Sequence, residues 1–183
     1  MVENLVNRLI EQCREGNQAA FGELVNIYRR QLYSYLTKMC GDNESARDLF
    51  QETLIKAWKG LNKYDENEKF SSWLFSIAHN CSIDFLRKRK LRMNTFVELD
   101  EEAPAPYDFH TSFISKEFKE KLDETVNTLP HKQKQVFLMR QFGELSFKEI
   151  AEITHEPLNT VLSHMRYAVK KIKLTLGKEY AAE

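Results

Sequence analysis

The chain has few of the residues that interrupt helices: 6 glycines and 4 prolines among 183 residues. Long helices therefore meet few breaks. Cysteine is scarce too, with Cys13, Cys40 and Cys81 odd in number and far apart. No Cys/His pair has the spacing of a zinc site, which leaves three ordinary helix-packing or surface thiols. No apolar run approaches the roughly 20 residues that span a bilayer, and the opening MVENLVNRLIEQ lacks the basic flank and apolar block of a secretory leader. A cytoplasmic protein is expected. There is no glycine-rich phosphate loop and no nucleophile elbow. The five histidines (His79, His110, His131, His155, His164) form no close ligand pair. Neither catalysis, a metal nor a cofactor is indicated, and the function to be sought is recognition.

Net charge is also lacking, since 27 basic residues balance 27 acidic ones. A uniformly basic nucleic-acid binder is excluded, but the distribution is uneven. Residues 1–90 hold 14 basic and 12 acidic groups, residues 91–112 hold 1 and 5, and residues 113–183 hold 12 and 10. An acidic strip thus separates two slightly basic blocks. The apolar content of 42% and charged content of 30% suit folded domains.

Helical spacing of apolar residues dominates what is present. Phe21, Leu24, Val25, Tyr28, Leu32, Tyr35, Leu36 and Met39 predict one long helix from about Asn17, broken at Gly41-Asp42-Asn43. Ala46, Leu49, Phe50, Leu54, Ala57 and Trp58 predict a second over about 43–60, with Asp48, Gln51, Glu52 and Lys56 outward. After the polar segment 61–69 a third helix is expected to open at Ser71 and end in the run Arg87, Lys88, Arg89, Lys90. Cations favour a helix C-terminus, and four in a row also invite a phosphate backbone. Aromatic residues Tyr64, Phe70, Trp73 and Phe75 near these cations could stack exposed bases, although aromatics at helical spacing are more often core.

Residues 91–112 carry two prolines and clustered acids without an apolar stripe, and read as a linker. From Phe113 helical periodicity resumes, broken at Leu129-Pro130, Gly143-Glu144 and His155-Glu156-Pro157. Ser146 and Glu149 have capping-box spacing, Thr154-His155-Glu156 supplies a short turn, and Pro157 fits the first turn of the next helix. On that helix Val161, Met165, Ala168 and Ile172 form a buried stripe, leaving Asn159, Ser163, Arg166 and Lys170 outward. This is a helix-turn-helix whose exposed Asn and Arg can make paired hydrogen bonds to base edges in the major groove. The expected fold is all-α: an N-terminal helical bundle (1–90) and a C-terminal helix-turn-helix domain (113–183), joined by the acidic linker.

Three stretches in this order resemble the extracytoplasmic-function group of bacterial sigma-70 factors: 48–59 (DLFQETLIKAWK), 70–90 (FSSWLFSIAHNCSIDFLRKRK) and 145–173 (LSFKEIAEITHEPLNTVLSHMRYAVKKIK). The resemblance spans about 17–176. It implies a factor that binds core RNA polymerase and directs it to promoters. Asp48, Gln51, Glu52, Ile55 and Trp58 would then meet the clamp of the largest polymerase subunit. Tyr64, Phe70, Ser72, Trp73, Asn80, Arg87 and Lys88 would handle the −10 element, where a base leaves the stack. Asn159, Thr160, Ser163, Arg166 and Lys170 would read the −35 element, with the C-terminal domain on the flap of the second subunit. An anti-sigma factor is implied as a further partner. The acidic linker would occupy a positively charged channel in place of nucleic acid, or serve as a plain tether. Two departures stand out. Leu162, His164, Tyr167 and Val169 make the recognition helix less basic than in many relatives, and His155 stands where glycine is common. Feeble DNA binding by the isolated C-terminal block is therefore expected. Two other readings stay open from the residues alone: a stand-alone dimeric helix-turn-helix regulator, and a helical adaptor that binds only protein.

Overall fold

The structure is a computed structural model that describes residues 2–93 and 116–180. Every described element is helical, and the chain divides into two compact units, Met1–Glu102 and Ala103–Glu183.

The N-terminal unit begins with α1, Val2–Arg14, which the sequence reading did not anticipate. Val6, Leu9, Ile10 and Cys13 recur at spacings of three, one and three, and all are buried. That stripe lies on α2, Gln18–Cys40. Asn17 caps α2 by accepting hydrogen bonds from the Ala19 and Ala20 amides, which satisfies donors that have no helical partner. At the other end Gly41 adopts φ 90° and returns its N–H to the Thr37 carbonyl, a left-handed cap for which glycine carries no Cβ penalty. One residue on, the Asp42 carboxylate accepts from Ser45 N at 2.7 Å and starts α3, Asn43–Gly60. Ala46, Leu49, Thr53 and Ala57 form the buried face of α3. A 3₁₀ turn at Leu61–Lys63 leads to α4, Phe70–Met93. Leu91, Arg92 and Met93, assigned to the linker from sequence, thus complete α4. The remainder of that linker lies outside the described residues.

α2 is the centre of this bundle, packing against α1, α3 and α4. Tyr35 is fully buried on it, edge-on to Phe75 at 5.4 Å, and its hydroxyl meets His79 Nδ1 of α4 at 3.2 Å. An unpaired buried hydroxyl would cost on the order of 2 kcal/mol or more, so the histidine makes this large side chain tolerable in the core. Burial pushes the phenol well above its ordinary range, which keeps the proton on oxygen. All three cysteines are buried and none of them forms a disulfide.

The C-terminal unit contains α5 Lys116–Asn127, α6 His131–Phe142, α7 Phe147–Thr154 and α8 Leu158–Tyr180. The expected breaks at Pro130, Gly143-Glu144 and His155–Pro157 are all present. Glu144, not Gly143, takes the positive φ of 52°. Pro157 stands just before α8, where its carbonyl accepts from the Thr160 and Val161 amides, and so acts as the cap residue instead of the first helical one. Val161, Ala168, Ile172 and Leu176 of α8 join Val136, Leu138, Met139 and Ile150 in the core, and Met165 is half-buried. α8 packs against α5, α6 and α7.

Candidate functional sites

The outward face of α3 follows from the register of its buried stripe. With Ala46, Leu49, Thr53 and Ala57 turned inward, Asp48, Gln51, Glu52 and Ile55 fall on the solvent side and are exposed. Glu52 pairs with Lys56 at 2.7 Å across one turn, and Lys56 also reaches Cys81 Sγ of α4 at 3.4 Å. The Glu52 carboxylate is the main cause that holds the Lys56 ammonium above its ordinary range. Ile55 is 55% exposed. Trp58 belongs only partly to this face: it is half-buried, its ring edge-on to Phe21 of α2 at 5.0 Å.

Below α3 the loop and the start of α4 carry an aromatic cluster. Tyr28, Tyr64, Phe70 and Trp73 contact one another with centroids 5.2 to 5.5 Å apart. Sequence reading offered Tyr64 and Phe70 as base-stacking residues, but both are 5% exposed and lie in the interior. The Tyr64 hydroxyl donates to the Glu68 carbonyl, and its backbone carbonyl accepts from Arg14 at 2.7 Å. Burial is the chief reason that its phenol is raised to about 12. These two rings support the surface and do not form it. Trp73 and Ser72 are half-exposed and Asn80 is exposed. Gly60, the last residue of α3, lies so close to the Trp73 ring that an added Cβ would come within 3.2 Å of it.

The basic end of α4 divides between structural and free groups. Arg89 donates to the Cys40 carbonyl at 3.1 Å and lies 3.8 Å from Asp42, so it holds the C-terminus of α2, where a cation complements the helix dipole. Arg87 pairs with Asp84 at 2.8 Å but remains largely exposed. Lys88 and Lys90 are exposed.

In the C-terminal unit the capping box is formed in both directions: Glu149 N donates to Ser146 Oγ and Ser146 N to the Glu149 carboxylate. α7 ends on His155, a non-glycine residue at φ 55° and ψ 36°. Glu156, just beyond, takes Lys132 of α6 at 2.5 Å on one oxygen and faces His164 Nε2 of α8 at 3.4 Å with the other. Both facing atoms are shielded from water. This three-element contact ties the turn to α6 and α8. Sequence reading missed it because only the turn geometry brings the residues together. On α8, Asn159, Arg166 and Lys170 are exposed, and Thr160 and Ser163 are half-buried. Ser163 Oγ donates to the Asn159 carbonyl at 2.8 Å, leaving its lone pairs to accept a bond from outside. From Pro157 to Lys178 there is no acidic residue.

Two family models match the chain: sigma-70 region 2 over residues 24–92 and sigma-70 region 4 over residues 119–172. The chain is 30% identical to the ECF RNA polymerase sigma factor SigW of Bacillus subtilis over 93% of its own length and 97% of that protein's. It belongs to the extracytoplasmic-function sigma factors of the sigma-70 family. The ECF RNA polymerase sigma-E factor of Haemophilus influenzae is 29% identical over 94% of this chain and 96% of that one. Two solved structures share the fold. One is the sigma factor RpoE in complex with the anti-sigma factor NepR from Bartonella quintana, with TM-score 0.74, 20% identity, and coverage of 86% of this chain and 96% of that one. The other is CnrH in complex with the cytosolic domain of CnrY, with TM-score 0.69, 22% identity, and coverage of 95% and 98%. An RNA polymerase sigma factor binds core enzyme and promoter DNA to start transcription, and that is the function of this chain. Two sigma regions in one chain set aside the stand-alone dimeric regulator and the protein-only adaptor. Among the described residues no helix of this sigma factor is long and apolar enough to cross a membrane.

Proposed function

We propose that this sigma factor divides its work among three helix faces. The outer face of α3 docks on the clamp of the largest polymerase subunit, with Ile55 as apolar anchor and Asp48, Gln51 and Glu52 around it. Trp58 stiffens that face from below. The start of α4 receives a base of the −10 element on Ser72, Trp73 and Asn80, with Tyr64 and Phe70 as the packed floor. Arg87 and Lys88 hold the neighbouring phosphates. Unstacking a base costs on the order of a few kcal/mol, which stacking and phosphate contacts together can offset. α8 enters the major groove of the −35 element with Asn159, Thr160, Ser163, Arg166 and Lys170, while the rest of its unit sits on the flap of the second subunit. In the blocks read from sequence, residues 1–90 melt the promoter, 91–112 connect, and 113–183 read upstream.

The observation that carries this reading is Ile55, more than half exposed within a polar stripe on a helix whose other face is sealed in the core. Covering that apolar surface on docking would add affinity at the centre of a polar rim. The protein would work in the cytoplasm without catalysis or cofactor, and be held inactive by an anti-sigma factor, as the solved complexes of its structural neighbours suggest. Transcription in vitro with purified core polymerase is the test. Starts should appear only when this protein is added, vanish with Asp48→Ala/Gln51→Ala, and move to other promoters with Arg166→Ala. Absence of any affinity for core polymerase would end the proposal.

A further inference from the structure

In the C-terminal unit three leucines of α8 face water, Leu158 and Leu162 in its first turns and Leu174, 53% exposed, further along. Val136, Leu138, Met139, Ile150, Val161 and Ala168 are sealed from water there, whereas Leu158 is 38% and Leu162 39% exposed. Four residues apart, they share one side of the first two turns of α8. At about 100° per residue, Leu162 lies roughly 40° around the helix from Arg166 and 60° from Asn159. It therefore borders the polar face that the proposed function assigns to the −35 element, on which the present inference rests.

A partner that covers Leu162 must also accept Asn159 and Arg166, and must tolerate a helix with no acid from Pro157 to Lys178. A protein surface has no general reason to combine these demands, but the major groove does. Base edges there offer acceptors to Arg and paired donor and acceptor groups to Asn, phosphates line the rim, and the thymine C5-methyl is the one apolar group on display. The N-terminal residues of a recognition helix are those that reach base edges. We propose that Leu162 packs on a thymine methyl of the −35 element, adjacent to the base that Arg166 reads, so that methyl recognition supplies specificity which a more basic helix would draw from further hydrogen bonds. Leu158 flanks the same contact from the preceding turn.

The test uses holoenzyme assembled from core polymerase and the full chain. A promoter library randomised through the −35 element is transcribed, and each thymine of the preferred sequence is then replaced by deoxyuridine, which removes only the methyl. One position should lose about fourfold in promoter use with wild-type protein, the factor that one buried methyl-sized group supplies. Leu162→Ala should be indifferent to that replacement, and Leu162→Gln should shift the preference there from thymine toward adenine, which an amide can bond in pairs. Equal deoxyuridine sensitivity of wild type and Leu162→Ala, or none in either, overturns the inference. So does a uniform loss of transcription by Leu162→Ala with sensitivity retained, which would make the leucine a protein contact. Arg166→Ala separates the two levels: if it too leaves −35 selection unchanged, the assignment of α8 fails, whereas a changed selection with an inert Leu162 removes only the methyl contact.

Discussion

Replacing Ile55 by alanine separates what this residue does for the fold from what it does for docking. Ile55 is 55% exposed on the outer face of α3, so folding buries only about half of its side chain. Alanine removes three carbons. A fully buried carbon is worth about 0.8 kcal/mol, so if the polymerase clamp covers the exposed half, the substitution forfeits about 1.2 kcal/mol of docking. That is roughly an eightfold rise in Kd. Folding should respond only weakly: the half that folding buries forfeits a similar ~1.2 kcal/mol, which alanine's better helix propensity, worth up to about 0.7 kcal/mol, partly offsets. Competition of labelled wild-type protein from core polymerase, read by fluorescence anisotropy, gives the affinity, and a circular-dichroism melt gives stability. A Kd within twofold of wild type would refute the assignment of this face. A fall in Tm of many degrees would refute it differently, by making Ile55 a structural residue.

The C-terminal unit offers three further tests. Ser146→Ala removes one arm of the capping box and should destabilise that unit by about 1 kcal/mol, visible as faster amide exchange at Glu149; unchanged exchange would mean the cap is not used. His155→Gly should raise Tm by a few degrees, because relief of a left-handed residue worth about 1–2 kcal/mol exceeds the roughly 0.4–1 kcal/mol entropy cost of glycine, and a lower Tm would show that the imidazole has a compensating contact. Partial withdrawal from water, and then the charges of Lys134 and Lys132, hold His131 below its ordinary range. Its neutral form is therefore favoured by folding, so the stability it contributes above about pH 6.5 should be lost as the pH falls toward its folded pKa, and urea denaturation of His131→Gln should show a flatter profile over that window.

The helix boundaries were legible because each has a local chemical cause. Gly41, Pro130, the Ser146–Glu149 box and the His155–Pro157 turn act within a few residues of themselves, so one sequence suffices to see them. α1 was equally visible in Val6, Leu9, Ile10 and Cys13, but its segment was weighed only as a leader. Burial was harder. Tyr64 and Phe70 have the composition of a stacking surface, and only the packing of α2 and α4 shows that they are its floor. Arg89 likewise looks like one more cation in a run until α2 brings the Cys40 carbonyl to it. The Glu156 contacts with Lys132 and His164 join residues 24 and 8 positions away through a turn that no spacing rule encodes.

α8 closes its unit against all three preceding helices and also carries the residues proposed to read DNA. In the N-terminal unit, by contrast, α1 meets α2, α2 meets α3 and α3 meets α4, so each new helix finds its neighbour already made. During synthesis, therefore, the N-terminal bundle can mature step by step on the ribosome, while α5 to α7 wait without their main packing surface until the recognition helix emerges. The reading head and the keystone are one segment, and a nascent chain that stops short of Val161 carries a finished N-terminal body with no means to choose a promoter from its upstream element.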